Sequence, residues 1–283
     1  MGQTSHLDIE HLKGWIGREE TGTEEVTAAL VRRFRATFDE TPGDPLPGDV
    51  APRFIHLCLA QPAEPMHALG TDGHPARGGF LPPVPLPRRM WAGGSLTFTG
   101  DLRVGDTVRR VSRVDDLSVK EGRTGTLCFV TVRHEIEAEG RAILTEIQDI
   151  VYRGLDTAGP AKTTAPAEAD HHRREVDPSP PLLFRYSALT FNGHRIHYDY
   201  PYVTQVEGYP GLVVHGPLQA TLLYRFAAEI LRAPPARFTF RALSPLFDHQ
   251  PFFLNAQTTD NGALKLWSAT AGGPVAMQAN AVR

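Results

Sequence analysis

The stretch FRYSALTFNGHRIHYDYPYVTQVEGYPGLVVHGPLQATLLY, residues 184–224, decides the fold because it joins several distinct patterns. Residues 184–191 alternate in the manner of a β-strand and are rich in aromatic and β-branched side chains. A compact polar loop at residues 192–199 follows, and a connector rich in glycine and proline leads on from it. The order predicted from these patterns is strand, polar loop, connector and helix.

The helix at the end of this stretch is predicted to begin directly after His215. Pro217 suits the first helical turn, where its missing N–H removes no hydrogen bond. Apolar side chains then recur every four residues and form one buried face, at Leu218, Leu222, Phe226 and Ile230. The free N–H groups at such a helix start can hold an oxyanion. A polar loop beside them is therefore expected to activate water.

The stretch resembles the hydratase block of the MaoC-like, hot-dog-fold enoyl-thioester hydratases. The matching residues are Leu189, Thr190, Ile196, His197, Asp199, His215 and Gly216. The chain departs from the family pattern at Asn192, where most relatives have the catalytic Asp, and at His194 and Arg195. This variant is similar to one branch, which contains mesaconyl-C4-CoA (3-methylfumaryl-CoA) hydratases, itaconyl-CoA hydratases and mitochondrial-type 3-hydroxyacyl-thioester dehydratases.

The resemblance implies an α+β double hot-dog fold, with two tandem halves that each wrap an antiparallel sheet around a helix. Residues 1–156 are expected to form a degenerate N-terminal half, and residues 182–283 the half that carries the motif. Between them, residues 157–181 are rich in Ala, Pro, Thr and charged side chains, which predicts a linker. Its two histidines, His171 and His172, lack further ligands at fixed spacing, so no metal site is predicted.

Patterns in the rest of the chain fit this expectation. A helix is predicted at residues 24–38 with Thr23 as its N-cap, and a short strand at residues 54–60. The remaining predicted strands cover residues 94–98, 107–117, 124–137, 141–153, 236–242, 252–259, 263–271 and 274–282. Residues 61–89 contain too many prolines and glycines for a regular element, and we expect them to form a lid or a ligand-contacting loop.

Composition excludes several classes of function. The 283 residues include 29 Lys and Arg against 32 Asp and Glu, so the net charge of −3 does not favour binding of nucleic acid. No run of about 18 apolar residues is present, and the N-terminus resembles no targeting segment, so a cytoplasmic protein without a membrane span is expected. Cys58 and Cys128 lie in apolar runs and are interpreted as reduced core thiols.

Hydration of an enoyl thioester needs a base for water, an acid for the α-carbon and stabilisation of the developing enolate oxygen. His197 is the best acid or base, because imidazole titrates near neutral pH; alternatively it binds a backbone carbonyl in a structural role. Asn192 can orient water but cannot accept a proton, which shifts proton transfer to His197. Gly216 can offer its backbone N–H to the thioester oxygen, or it serves only as a turn residue.

Four further residues are candidates for substrate binding. Arg195 could pair with a substrate carboxylate or a CoA phosphate, or instead form an ion pair with Asp199 or Glu207. Asp199 could orient the imidazole of His197, or be an exposed turn residue. His215 either shapes the turn before the helix or contacts the substrate. His194 lies beside Arg195 and is grouped with it as a substrate contact.

The resemblance therefore implies a cofactor-free hydro-lyase acting on an acyl-CoA thioester. It implies short branched C5 dicarboxylyl-CoA substrates, with itaconyl-CoA or mesaconyl-C4-CoA converted to citramalyl-CoA. The alternatives are a dehydratase of longer 3-hydroxyacyl thioesters, a hot-dog thioesterase, and a non-catalytic acyl-CoA binding protein. A homodimer is expected, because the sheet edges of such folds need covering.

Overall fold

The structure, a computed structural model, describes residues 7–122, 125–154 and 172–283. Over these ranges the strands from both ends of the chain form one antiparallel sheet of ten strands. No helix within the described ranges is long and apolar enough to cross a membrane.

The chain begins with α1 (Ile9–Lys13), β1 (Glu19–Glu25) and α2 (Ala28–Thr37). The helix predicted at residues 24–38 is present, but it starts later than expected and Thr23 is not its cap. Thr27 is the N-cap, and its hydroxyl accepts a hydrogen bond from the Leu30 N–H at 3.1 Å. The reason is that residues 19–25 pair with residues 107–113 as an edge strand, which the helical spacing did not reveal.

Residues 38–87 contain only two short 3-10 helices, Ile55–Cys58 and Met66–Ala68. The strand predicted at residues 54–60 is therefore wrong. All four side chains of Ile55–Cys58 are buried, whereas a strand of a one-sided sheet buries alternate side chains. The turn starts at Phe54, whose φ of 71° is left-handed and incompatible with an extended strand.

Four long antiparallel strands follow at the predicted places: β2 (Arg88–Phe98), β3 (Thr107–Gly122), β4 (Gly125–Ala138) and β5 (Arg141–Arg153). The predicted meander holds for β3, β4 and β5 only. β4 lies between β3 and β5, and β2 pairs with the other edge of β5. Buried and exposed side chains alternate along β4, as expected for a sheet with one face in the core.

The C-terminal part contains β6 (His172–Val176), α3 (Pro180–Leu189), α4 (Tyr200–Gln205), α5 (Gly216–Leu231), β7 (Arg237–Ala242), β8 (Phe252–Thr258), β9 (Leu264–Thr270) and β10 (Val275–Val282). The last four strands confirm the predicted ones. β6 pairs with β8, so the predicted linker contains an edge strand that includes His172. Residues 157–171, with His171, lie outside the described residues.

The strand predicted at residues 184–191 is also wrong, because α3 occupies most of this range. Two prolines stand at the first positions of α3, where their fixed φ favours a helix. The side chains of Leu183, Tyr186 and Ser187 are buried on one face at helical spacing. In a short aromatic-rich run the alternating pattern and the helical pattern overlap, and the prolines before it decide between them.

The sheet order is β1-β3-β4-β5-β2-β7-β10-β9-β8-β6. Strands β1–β5 thus form one half and β6–β10 the other, and the β2–β7 pairing joins them. Helix α5 packs against β7, β8, β9 and β10, as expected for a sheet wrapped around a helix. Its apolar face buries Leu218, Leu223 and Phe226 in the main core, while Gln219 accepts a hydrogen bond from buried Ser268 at 2.9 Å.

Both cysteines are buried and unpaired with each other, which confirms their interpretation as core thiols. Burial raises the pKa of the Cys58 thiol to about 12 and that of Cys128 to about 11. Neither side chain therefore forms a thiolate near neutral pH, and both behave as small apolar core residues.

The junction between β2 and β7 generates a prediction about stability. A methyl group at Gly94 would overlap the Ile147 carbonyl oxygen and lie 2.9 Å from the Phe240 ring. We expect Gly94→Ala to lower the free energy of unfolding by about 2 kcal/mol, since crowding in a packed sheet costs roughly this much. Urea denaturation measures it. Gly79→Ala is the control, because its methyl group would lie 3.9 Å from the nearest neighbour; equal effects of both substitutions would contradict the prediction.

Candidate active site

A cavity of about 1320 Å³ lies where the polar loop, the start of α5 and the segment 61–81 meet. Of the residues selected from sequence, the ones that line it are Asn192, His194, Arg195, His197 and Gly216. Asp199 and His215 do not line the cavity. The structure thus brings the candidate acid–base residue and the candidate oxyanion residue to one space.

His197 closes a 3-10 turn, Arg195–His197, and is only 7% exposed. Its Nδ1 lies 2.7 Å from the Val213 carbonyl oxygen, so Nδ1 carries the proton and donates. Nε2 then holds a lone pair, and no described residue hydrogen-bonds to it. Burial lowers the pKa of His197 to about 3, because the bond to Val213 compensates only in part. His197 is therefore a neutral base near neutral pH.

The ring of His215 packs against the imidazole of His197. The two rings are stacked with centroids 3.6 Å apart and an angle of 17° between their planes. His215 Nε2 lies 2.8 Å from the Ser187 hydroxyl, and the residue itself is the N-cap of α5. Burial places its pKa well below the usual value. These contacts favour the interpretation in which His215 shapes the turn rather than contacting substrate.

Gly216 is the first residue of α5, where backbone N–H groups have no partner within the helix. It faces the cavity and follows His215 directly, so its N–H lies beside the stacked imidazoles. The partial positive charge at this helix end favours an oxygen that gains negative charge. The geometry is therefore compatible with an oxyanion site.

Asn192 uses its side-chain oxygen within the loop. Oδ1 accepts a hydrogen bond from the His194 N–H at 3.0 Å, which closes a local turn. The amide NH₂ group has no hydrogen-bond partner among the described residues, and Asn192 lines the cavity. The side chain can therefore donate to a water molecule but, as expected from sequence, cannot take a proton from it.

Arg195 and Asp199 form an ion pair, which was one of the two alternatives for Arg195. The carboxylate accepts from Arg195 Nε at 2.9 Å and lies 2.8 Å from Nη2. Arg195 Nη1 also donates to the Thr71 carbonyl at 3.0 Å. Asp199 caps α4 through the Tyr202 N–H, and that bond and Arg195 lower its pKa. The group that orients His197 is thus the Val213 carbonyl, not Asp199.

Two residues that sequence reasoning missed, Asp72 and His74, reach this site from the proline- and glycine-rich segment. Asp72 accepts a hydrogen bond from the Arg195 N–H at its backbone carbonyl, at 2.9 Å. Between them, Gly73 lies against Gly193 so closely that a side chain would overlap the Gly193 carbonyl. The φ of Gly73 is +86°, which also favours glycine. These contacts fix the segment to the polar loop.

Asp72 and His74 form a carboxylate–imidazole pair at the cavity wall. His74 Nδ1 lies 3.1 Å from Asp72 Oδ2, and the His74 N–H donates to Asp72 Oδ1 at 3.0 Å. Burial alone would raise the pKa of Asp72, but the hydrogen bonds from the His74 ring and backbone N–H outweigh it and lower the pKa. Burial and the nearby Arg89 charge lower the pKa of His74. Near neutral pH the pair is a carboxylate beside a neutral imidazole.

His194 lies between this pair and His197. Its ring centroid is 4.0 Å from that of His74 and 5.4 Å from that of His197. Burial, with the neighbouring His74 and His197, holds the pKa of His194 far below its usual value. Four neutral imidazoles, with His215 at one end and His74 at the other, therefore adjoin one another beside the cavity.

One group here could hold a metal ion. Ligand atoms of Asp72, His74 and His194 all lie within 4.8 Å of one another. The Asp72–His74 hydrogen bond already engages two of these side chains. The positive charge of Arg89, which acts on both histidines, also opposes a cation at this place. The donor set therefore suits proton exchange better than metal binding.

Comparison with solved structures gives the fold. A MaoC-like dehydratase from Phytophthora capsici matches with a TM-score of 0.71 at 16% sequence identity, covering 98% of each chain. A Mycobacterium tuberculosis protein described as having a double hotdog fold matches with a TM-score of 0.56 at 13% identity, covering 94% of this chain and 96% of that one. The predicted α+β double hot-dog fold is thus confirmed.

Comparison of sequences gives the family. The family described as "Hydroxyacyl-thioester dehydratase type 2" matches residues 54–248, a range that includes both the polar loop and the segment bearing Asp72. A protein named mesaconyl-C(4)-CoA hydratase from Chloroflexus aurantiacus is 44% identical over 245 residues, which cover 86% of this chain and 88% of that protein. The chain belongs to the hydroxyacyl-thioester dehydratase type 2 family of MaoC-like proteins.

Proposed function

We propose that this protein is a hydratase that adds water to mesaconyl-C4-CoA, a branched C5 dicarboxylyl-CoA, and forms citramalyl-CoA. The observation that carries this proposal is the buried neutral imidazole of His197, which lines the cavity together with Gly216 and whose Nε2 has no hydrogen-bond partner among the described residues. The 44% identity to a mesaconyl-C(4)-CoA hydratase supports the acyl group. Itaconyl-CoA is the less suitable isomer, because its double bond is not conjugated with the thioester.

In this mechanism His197 carries one proton from water to the α-carbon. Nε2 takes a proton from water while the water oxygen bonds to the β-carbon. The π electrons move onto the thioester oxygen, where the Gly216 N–H stabilises the negative charge. The thioester carbonyl then re-forms as the α-carbon takes the proton from the His197 imidazolium. Protons and electrons balance without a cofactor.

Two neighbouring residues would hold the attacking water. The free amide NH₂ of Asn192 donates a hydrogen bond to the water oxygen. His74, held by Asp72 at Nδ1, presents Nε2 as a second acceptor for a water hydrogen. Asn192 stands where most relatives have Asp, and its amide cannot accept a proton. The Asp72–His74 pair would supply the missing acceptor. Water fixed by three groups is oriented for attack, which lowers the entropic cost of the step.

The second candidate function is dehydration of longer 3-hydroxyacyl thioesters. The description of the family and the cavity volume of about 1320 Å³ favour it, because the cavity exceeds the need of a C5 acyl group. Hydration rates with mesaconyl-C4-CoA and crotonyl-CoA, followed by loss of enoyl-thioester absorbance, separate the two. Faster turnover of crotonyl-CoA would overturn the dicarboxylyl assignment. Absence of turnover with either would favour an acyl-CoA binding protein, and release of free CoA a thioesterase.

Replacement of the proposed base tests the mechanism. We expect His197→Ala to lower kcat for hydration by about 10²–10⁴-fold, the usual contribution of a general base. The exposed His249 provides the matched control, since His249→Ala removes an imidazole away from the cavity. Hydration by the His197 variant within a few-fold of the parent rate would exclude its role in proton transfer.

The water-holding role of His74 is tested by His74→Phe, which keeps an aromatic ring but removes the acceptor. We expect kcat to fall about 10- to 100-fold, because one hydrogen bond that orients the water is lost. His67 lies on the same segment, is exposed and does not line the cavity, so His67→Phe is the control. Equal rates for both variants would contradict the proposal.

The pH dependence follows from the pKa of His197, which burial lowers from 6.5 to about 3. A lowered pKa means that the base remains unprotonated as the pH falls from 8 to 5. We therefore expect kcat/KM to stay constant over this pH range, with no decrease centred on a pKa of 6.5. Initial-rate assays give kcat/KM across this pH range, and circular dichroism confirms that the protein is folded at each pH. An acid limb centred near 6.5 in folded enzyme would show that His197 titrates normally.

A further inference from the structure

Among the described residues, five arginines line the cavity: Arg77, Arg89, Arg110, Arg153 and Arg195. Three of them already bind groups of the protein itself. Arg77 donates to the carbonyl oxygens of Val84, Leu86 and Pro87. Arg195 is paired with Asp199. The guanidinium groups of Arg77 and Arg195 already bind groups of the protein itself. Neither can therefore bind a ligand carboxylate through two N–H donors.

Arg110 and Arg153 suit this role less well than Arg89. Arg110 donates to the Ser112 hydroxyl at 3.1 Å and lies 3.8 Å from the carboxylate of Glu20. Its charge interacts with that of buried Glu146 as well, so acidic side chains already surround it. Arg153 ends β5 opposite Arg88, and its buried Nε has no hydrogen-bond partner among the described residues, but its charge is not among those that lower the pKa of His74 or His194.

Arg89 is the remaining cation of the five. It is half-buried, lines the cavity, and forms an ion pair with no carboxylate in the described ranges. Its cross-strand neighbour on β5 is Tyr152, a buried phenol whose pKa burial raises, so this partner is neutral and does not compensate the charge. A half-buried cation without a counter-ion is unfavourable, and an anionic ligand would relieve this.

The position of Arg89 matches the chemistry of the proposed substrate. Arg89 lines the same cavity as His74 and His194, and its charge lowers the pKa of both imidazoles. In mesaconyl-C4-CoA the free carboxylate is bonded to the β-carbon, the atom that water attacks. Whatever binds this carboxylate must therefore lie next to the residues that hold the water.

We infer that Arg89 forms a carboxylate-binding subsite, in which its guanidinium receives the free carboxylate of a dicarboxylyl-CoA through two N–H donors. The planar fork of arginine matches the two carboxylate oxygens. Such a subsite would make the proposed hydratase selective for dicarboxylyl thioesters. The identity of this ligand rests on the proposed function. It replaces Arg195, the residue that sequence alone favoured for this contact, because Arg195 is bound to Asp199.

Binding of two saturated analogues tests the subsite without any turnover. Succinyl-CoA carries a carboxylate on the β-carbon, and butyryl-CoA carries a methyl group in its place. Calorimetric Kd values give the preference for succinyl-CoA in the parent protein and in Arg89→Met, Arg89→Lys and Arg109→Met. Arg109 is an exposed cation on β3 that lies outside the cavity, so its variant controls for net charge.

We expect the parent and Arg109→Met to prefer succinyl-CoA, and Arg89→Met to reduce this preference about 10- to 100-fold. Arg89→Lys keeps the charge without the fork and should retain part of it. An unchanged preference in Arg89→Met would overturn the inference, as would a parent protein with no preference. Equal weakening of both ligands would instead place Arg89 at the CoA phosphates.

Turnover separates this inference from the proposed function. A parent protein that prefers succinyl-CoA through Arg89 but does not hydrate mesaconyl-C4-CoA would retain the subsite and lose the reaction. A parent that hydrates mesaconyl-C4-CoA with the same preference in Arg89→Met would retain the reaction and lose the subsite. Thermal unfolding of each variant confirms that the binding values refer to folded protein.

Discussion

The hydrogen bond from His197 Nδ1 to the Val213 carbonyl is the interaction on which the site depends. It fixes the tautomer, so that Nε2 carries the lone pair of an imidazole that lines the cavity. A second bond, from the Val213 N–H to the Ile196 carbonyl at 2.9 Å, holds the same two segments together. Because residues 213–215 lead directly into α5, these bonds set the imidazole beside the helix N-terminus.

Burial has a chemical consequence for the imidazole cluster. Charged histidines side by side in a water-poor site would repel each other, and each would lose its hydration. The cluster is therefore stable only with neutral rings, and burial lowers the pKa of each member. Of the four, His74 alone has a carboxylate partner, Asp72. The carboxylate therefore offsets part of the unfavourable effect of the Arg89 charge on this ring.

The exchange of the family's Asp for Asn192 is understandable in this setting. An aspartate at this position would add a charge close to buried rings that must remain neutral. Here the carboxylate is that of Asp72, which does not itself line the cavity but contacts His74, which does. Backbone contacts of Asp72 and Gly73 with the polar loop keep that pair in place. The two segments thus act as one unit, although about 120 residues separate them in the chain.

Sequence alone predicted the fold family, eight of the ten antiparallel strands, the start of α5 at Gly216 and His197 as the candidate acid–base residue. These features are encoded locally, in alternation, helical spacing, a proline in the first turn and a contiguous motif. Tertiary structure decided the rest: the pairing of β6 with β8, the ion pair of Arg195, and the approach of Asp72, His74 and Arg89 to the cavity. No local pattern records which distant side chains meet, because such contacts arise only when the core forms and the polar groups beside it find partners.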